Sequence, residues 1–271
     1  MLLEKKFQFF CHWISTIRHA VRRMCWQHIA DLLPIRLLIP MVISGCFLVN
    51  LARAADTADI PNNQQLQAFT ADPVKIYGTT AVYQVFRNDK EIGKHTLTFT
   101  YADKELIIAV DSNLAVKVLG VTVYRYRYTA EEVWSGGELV SVTSDIKDNR
   151  KALQTIKALN RDSYWTIEKK GVARTASSPE FTTNHWHPGA LFAARIYHPL
   201  HGRVYGGSAS PFGWERVVSV DGVARSARKF RYTQGFKADV WYDKYWRWLK
   251  LEFAADDGSR IVYSCMSCGE S

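Results

Sequence analysis

Neither a phosphate-cradling glycine motif nor the strained Gly-x-Ser-x-Gly elbow of a serine hydrolase occurs in this sequence. The nearest stretch to the elbow, Gly206-Gly207-Ser208-Ala209-Ser210, does not match it and reads as a loop. No internal repeat or low-complexity tract is evident, which sets aside solenoids, propellers and long linkers. Cysteine is scarce: of five, only Cys265 and Cys268 lie beyond residue 54. Two thiolates alone do not close a structural zinc site. One-sided charge is scarce as well. The chain carries +9, but residues 1 to 54 hold seven of the 35 Lys and Arg against Glu4 and Asp31 of the 26 acids, leaving 28 against 24. That mild excess is a solvated surface rather than a nucleic-acid footprint, so no nucleic-acid partner is expected.

What is present begins with an address. Leu37 to Ala52 is almost wholly apolar, follows Arg36 and runs into Ala52-Arg53-Ala54 before a polar stretch. A basic flank, an apolar core and a small-x-small site form a secretory signal, with cleavage expected after Ala54 and a periplasmic product. Three alternatives stand beside it. Met24 is a second possible start, Leu37 to Ala52 can stay uncut as an inside-positive anchor, and Ile43-Ser44-Gly45-Cys46 has the form of a lipidation site at Cys46. The chain then divides into a leader over 1–54, a polar linker over 55–75 and one curved β-sheet domain over 76–271.

Alternation dominates that domain. In Gly93 to Tyr101, His95, Leu97, Phe99 and Tyr101 alternate with Lys94, Thr96, Thr98 and Thr100, the pattern of a half-buried antiparallel strand. Turn chemistry recurs at Asn88-Asp89, Ala102-Asp103-Lys104, Gly136-Gly137, Lys170-Gly171, Asp221-Gly222 and Asp257-Gly258. Strands are expected at 80–87, 92–101, 105–117, 119–134, 138–146, 151–158, 163–168, 171–176, 214–220, 223–233, 236–243, 246–254 and 259–266. A meander that large cannot stay flat, so the fold is mainly β, a strongly curved half-barrel or open barrel. One segment breaks the alternation: His187 to Gly202, "HPGALFAARIYHPLHG". Pro188 suits a first helical turn, Pro199 a stop, and Ala190 to Tyr197 is apolar on nearly every side, so one buried helix is expected inside the curl.

The segments "VYQVFRNDKEIGKHTLTF", "LAVKVLGVTVYRYRYTAEEVW", "ELVSVTSDIKDN", Trp186-x-Pro188 and "ADVWYDKYWRWLKLEF" together resemble a family of exported bacterial β-proteins known only as a domain of unknown function. The likeness spans about residues 80 to 264. It implies a signal peptide and a curved antiparallel sheet, similar in outline to the half-barrels of lipoprotein carriers, and it implies no activity. The chain departs from that pattern at His187, where family members look more like Asn, and in its cysteine-containing tail.

Several residues invite a chemical reading. Cys265 and Cys268 are expected to form a local disulfide, with a reduced tail or a metal or redox pair as alternatives. Bonding needs Cα atoms roughly 4.4 to 6.8 Å apart, against about 10 Å for residues three apart on a strand, so Met266 and Ser267 must turn. His185, His187, His198 and His201 are the nearest thing to a metal cluster. A helix over 188–198 would separate His187 from His198 by roughly 16 Å, so they read as polar residues around its two ends. Asp239 and Asp243 read as hairpin-turn residues rather than an acid/base pair.

In "VLGVTVYRYRYTAEEVW", Tyr124, Tyr126 and Tyr128 share one strand face with Val118, Thr122, Glu132 and Trp134, opposite Val121, Val123, Arg125 and Arg127. The tyrosine face is expected inward, because a buried apolar segment needs a wall. Phenol hydroxyls would then supply polar handles in an apolar hollow. The expected function is binding of an amphipathic or apolar, lipid-like ligand by Tyr124, Tyr126, Tyr128, Trp134 and Trp186, without cofactor. The alternatives are a metal-assisted hydrolase built on the four histidines, and an envelope scaffold that presents the Trp-rich run "WYDKYWRW" to another protein.

Overall fold

Two-residue turns set the architecture. In the computed structural model, which describes residues 72–269, φ is positive at both positions of Asn88-Asp89, Leu119-Gly120, Gly136-Gly137 and Lys170-Gly171. That backbone matches the twist of antiparallel hairpins. The turns join β1 (Thr80–Arg87) to β2 (Lys90–Ala102), β3 (Glu105–Val118) to β4 (Val121–Ser135) and β4 to β5 (Glu138–Asp148). After β6 (Gln154–Asn160), the last of them joins β7 (Trp165–Lys169) to β8 (Val172–Ala176). The chain then leaves the sheet, forming β9 (Phe181–Thr182), a single 3-10 turn (Pro188–Leu191), β10 (Arg195–His198) and β11 (Arg203–Gly206). It returns as β12 (Ala209–Val218), β13 (Ala224–Tyr232), β14 (Ala238–Asp243), β15 (Trp248–Ala254) and β16 (Arg260–Ser267).

These strands make one antiparallel sheet of 13, in the order β12-β13-β14-β15-β16-β1-β2-β3-β4-β5-β6-β7-β8. The two meanders meet where β1 pairs with β16, and β8 and β12 remain edges, so the sheet curls without closing. Every strand expected from alternation is present. β12 begins well before its expected start at 214, because Pro211 and a register irregularity between Pro211 and Trp214 interrupt its period of two. β4 begins at Val121 rather than 119, where Leu119 and Gly120 are the turn. A short helix α1 (Pro73–Tyr77), capped by Asp72, precedes β1 and buries Pro73 and Tyr77.

The concave side is filled by the inserted segment. β9, β10 and β11 form a separate three-stranded sheet, with β9 parallel to β10, and the 3-10 turn is buried throughout. The helix expected over 188–198 is therefore corrected. Only Pro188–Leu191 is helical, and Ile196 and Tyr197 pair in a strand. Gly189 lets the turn pack closely, since a Cβ there would fall 2.4 Å from the Phe181 ring. Burial of the segment is as expected, and side chains of α1 and of the sheet satisfy part of its polar backbone. The hydroxyls of Tyr77, Tyr242 and Ser144 donate to the carbonyls of Trp186, His185 and Pro199. An irregular buried chain needs such partners.

The signal region, the Leu37 to Ala52 anchor, the lipidation site at Cys46 and most of the polar linker lie outside the described residues. Among the described residues no helix is long and apolar enough to cross a membrane.

Candidate functional site

The inner face of β4 organises the centre. Burial alternates along the strand and leaves Arg125 and Arg127 exposed, with Tyr128, Ala130, Glu132 and Trp134 buried. The aromatic face thus looks into the concavity. Glu132, with 0% exposure, is its centre: one carboxylate oxygen accepts from Trp134 Nε1 and Trp186 Nε1, each at 3.0 Å. The other accepts from Thr182 Oγ1 at 2.6 Å and Asn184 Nδ2 at 2.5 Å. Tyr128 extends the network, donating to Asn184 Oδ1 at 3.0 Å. A buried carboxylate is tolerated only when its lone pairs are used, and four donors use them here. Glu132 and Trp134 come from β4, and Thr182, Asn184 and Trp186 from the inserted segment, so the carboxylate fastens the insertion to the wall.

Beside this anchor lies a cavity of about 400 Å³ whose lining includes Tyr126, Tyr128, Leu200, Trp248, Phe253 and Tyr263. His95, Ser112, Thr183, Asn184, His185 and His198 contribute polar positions, and His201, Lys237 and Asp256 are exposed lining residues. Its floor is held by aromatic contact: Tyr83 stacks on Trp248 at 3.9 Å, while His95 and His185 lie 5.8 and 5.7 Å from Trp248. Burial lowers the proton affinity of His95 and His185 to a pKa of about 3, so both rings are neutral at neutral pH. His95 Nδ1 lies 2.5 Å from Ser112 Oγ. This is the spacing of a nucleophile and a base, but a ring that protonates only near 3 is a poor base, and its Nε2 has no orienting partner among the described residues.

The structure separates the sites expected from sequence. Tyr126 and Tyr128 line the cavity. Trp134 and Trp186 are outside its lining and donate to Glu132, and Tyr124, also outside it, donates to Asp148 at 2.6 Å. The histidines divide likewise. His185, His198 and His201 face the cavity, with the last two rings stacked at 4.3 Å, whereas His187 caps the 3-10 turn by accepting from Gly189 N. Among the described residues no three His, Cys, Asp or Glu side chains are grouped to hold a metal ion.

Asp243 forms a buried ion pair with Arg247 and accepts from the backbone of Tyr245 and Arg247, and Asp239 pairs with Arg231 and Lys229. Asp243 stands at the turn, as expected, whereas Asp239 lies within β14, paired across to Arg231 and Glu252. Of the run "WYDKYWRW", Trp241, Tyr242 and Trp248 are core side chains and Tyr245 is exposed, so it does not form the aromatic surface that the scaffold reading needs. Cys265 and Cys268 are disulfide-bonded with Cα atoms 5.9 Å apart. The tightening comes from a bulge at Met266 against β1, where Val82 pairs with Ser267 and Tyr83 with Cys265.

Sequence reasoning left out His95, Ser112, Trp248 and Tyr263 from the site and passed over Glu132. The alternation of β2 placed His95 on the same face as Leu97 and Phe99, and Glu132 on the tyrosine face was an acid where an apolar residue belonged.

The profile of a family described as Domain of unknown function (DUF6134) matches residues 83–266. Among solved structures, the crystal structure of a beta-barrel-like protein of the domain of unknown function DUF1849 from Brucella abortus is similar, with a TM-score of 0.52 and 10% identity. The likeness covers 71% of this chain and 98% of that one and concerns the fold alone. No curated protein matches.

Proposed function

The chain belongs to the family described as Domain of unknown function (DUF6134), whose description carries no activity, and we propose from the site's geometry that it is an exported, non-enzymatic protein binding an amphipathic, lipid-like molecule in its concavity. The observation that carries this reading is the cavity of about 400 Å³, in which the rings of Tyr126, Tyr128, Phe236, Trp248, Phe253 and Tyr263 stand among uncharged polar side chains, with its charged residues at exposed positions. Its size falls within the range of small-molecule sites, and a wall that is part apolar and part polar suits an amphipathic molecule. The signal-like sequence supports exposure to envelope lipids in the periplasm. Lys237 and Asp256, both exposed, suit an opening to water.

Native mass spectrometry of the full chain expressed with its leader and recovered from the periplasm tests the reading. The expected spectrum shows a mature chain starting at Ala55 and carrying an apolar small molecule that organic solvent extracts. A spectrum with metal at stoichiometric level and no organic ligand sinks it in favour of the hydrolase alternative.

A further inference from the structure

Four polar atoms in the cavity wall have no hydrogen-bond partner among the described residues: His95 Nε2, His185 Nδ1, His198 Nδ1 and Trp248 Nε1. His95, His185 and Trp248 are 4%, 4% and 1% exposed, and His198 is half-buried. Most buried polar atoms are paired, and leaving one unmade costs about 1 to 3 kcal/mol, so four on one cavity mark a place for a ligand's polar end. They also define its chemistry. The indole is a donor only, and each neutral imidazole nitrogen is a donor or an acceptor according to its tautomer. His95 Nδ1 is engaged by Ser112, which leaves Nε2 for the ligand.

Charge is missing from this part of the lining. The lining's one lysine, Lys237, is exposed, as is its one carboxylate, Asp256. Glu132, the nearby buried acid, already accepts four hydrogen bonds. An anionic or cationic headgroup drawn to the floor would lose its hydration without a counter-charge, a cost that neutral dipoles do not repay. Resting on the cavity-binding reading above, we infer that the ligand's buried end is an uncharged group able both to donate and to accept hydrogen bonds, such as a hydroxyl or primary amide on an apolar body. The cavity discriminates against fatty acids and alkyl amines.

Calorimetric titration of the folded protein at pH 7.5 with decanol, decanamide, decanoate and decylamine tests this, because the four share a chain and differ in the headgroup. Decanol and decanamide are expected to bind at least tenfold more tightly than either ion. Equal or tighter binding of decanoate or decylamine overturns the inference and leaves the cavity reading standing. If none of the four binds, the cavity reading falls and the inference with it. In His185→Phe, checked for folding by a urea melt, the advantage of decanol over decanoate is expected to shrink at least fivefold. An unchanged ratio in a folded variant removes His185 from the headgroup site and overturns its assignment. Should that variant fail to fold, the wild-type series decides alone.

Discussion

Glu132 shows how much one side chain decides. Four neutral donors surround its two oxygens, so replacement by the isosteric Gln turns one acceptor into a donor aimed at donors. Glu132→Gln is expected to lower stability by about 3 kcal/mol or more in a urea melt, from buried N–H or O–H groups left unpaired. A loss below about 1 kcal/mol would mean that the insertion is not fastened there. On the same strand, Tyr126 lines the cavity while Arg125 and Arg127 stand in water. The one ion pair formed by Arg127, with Asp111 at 3.3 Å, is exposed on both sides and contributes little. Arg125→Ala and Arg127→Ala should each shift stability by no more than about 0.5 kcal/mol, whereas Tyr126→Ala should reduce both stability and retained ligand. Early unfolding of both arginine variants with a wild-type Tyr126→Ala would remove the pocket's wall.

At the scale of elements, the β14–β15 hairpin depends on the Asp243–Arg247 pair, 2.6 Å apart and about one-twentieth exposed on either side. Asp243 holds the turn by accepting from two backbone N–H groups as well as from the guanidinium. Asp243→Ala takes the carboxylate away from a buried guanidinium and from two backbone N–H groups, and is expected to cost about 3 to 5 kcal/mol. The double variant Asp243→Ala/Arg247→Met should recover much of that loss, and failure to recover it would show that the turn bonds rather than the charge dominate. The Cys265–Cys268 bond works at the same scale. It ties only the end of β16, so its contribution through chain entropy is about 2 kcal/mol, less than a long-loop bridge would give.

For the whole molecule, burial of histidines couples folding to pH. His95, His185, His187 and His198 are each held down to a pKa of about 3 by loss of hydration, with His95 adding to the effect on His185. An unfolded histidine takes its proton near pH 6.5. Between that value and about 3 the unfolded chain therefore binds more protons, and stability falls as the pH falls. The urea midpoint is expected to be flat above pH 7 and to decline from 6.5 to 4.5, before most carboxylates titrate. Each histidine contributes at most about 1.4 kcal/mol per pH unit. His187→Gln should remove about a quarter of that slope, since it removes one of four similar sites. A midpoint that does not change between pH 7 and 4.5 would show that the histidines are not held neutral by burial.

The strands and the inward tyrosine face were readable because each is local, whereas the pairing of β1 with β16 that joins the two meanders is not. A period of two places Tyr126 and Arg125 on opposite faces whatever the tertiary fold, and Asn88-Asp89 or Gly136-Gly137 favours a tight hairpin by its own backbone preferences. The insertion was not readable to the same degree. "GALFAARIYH" is apolar on nearly every side, and such a segment has no period by which to tell helix from strand. Only the pairing of Ile196 and Tyr197 with β9 and β11 decided it. The same limit governed the site. His95, Ser112, His185 and Trp248 come from four places in the chain, and Trp134 and Trp186 were drawn to Glu132 rather than to the cavity. Sequence alone determined which face each strand residue would show. The curl of the sheet and the path of the insertion decided which of those residues meet, because long-range contacts are set by how the layers pack and not by the spacing of neighbours.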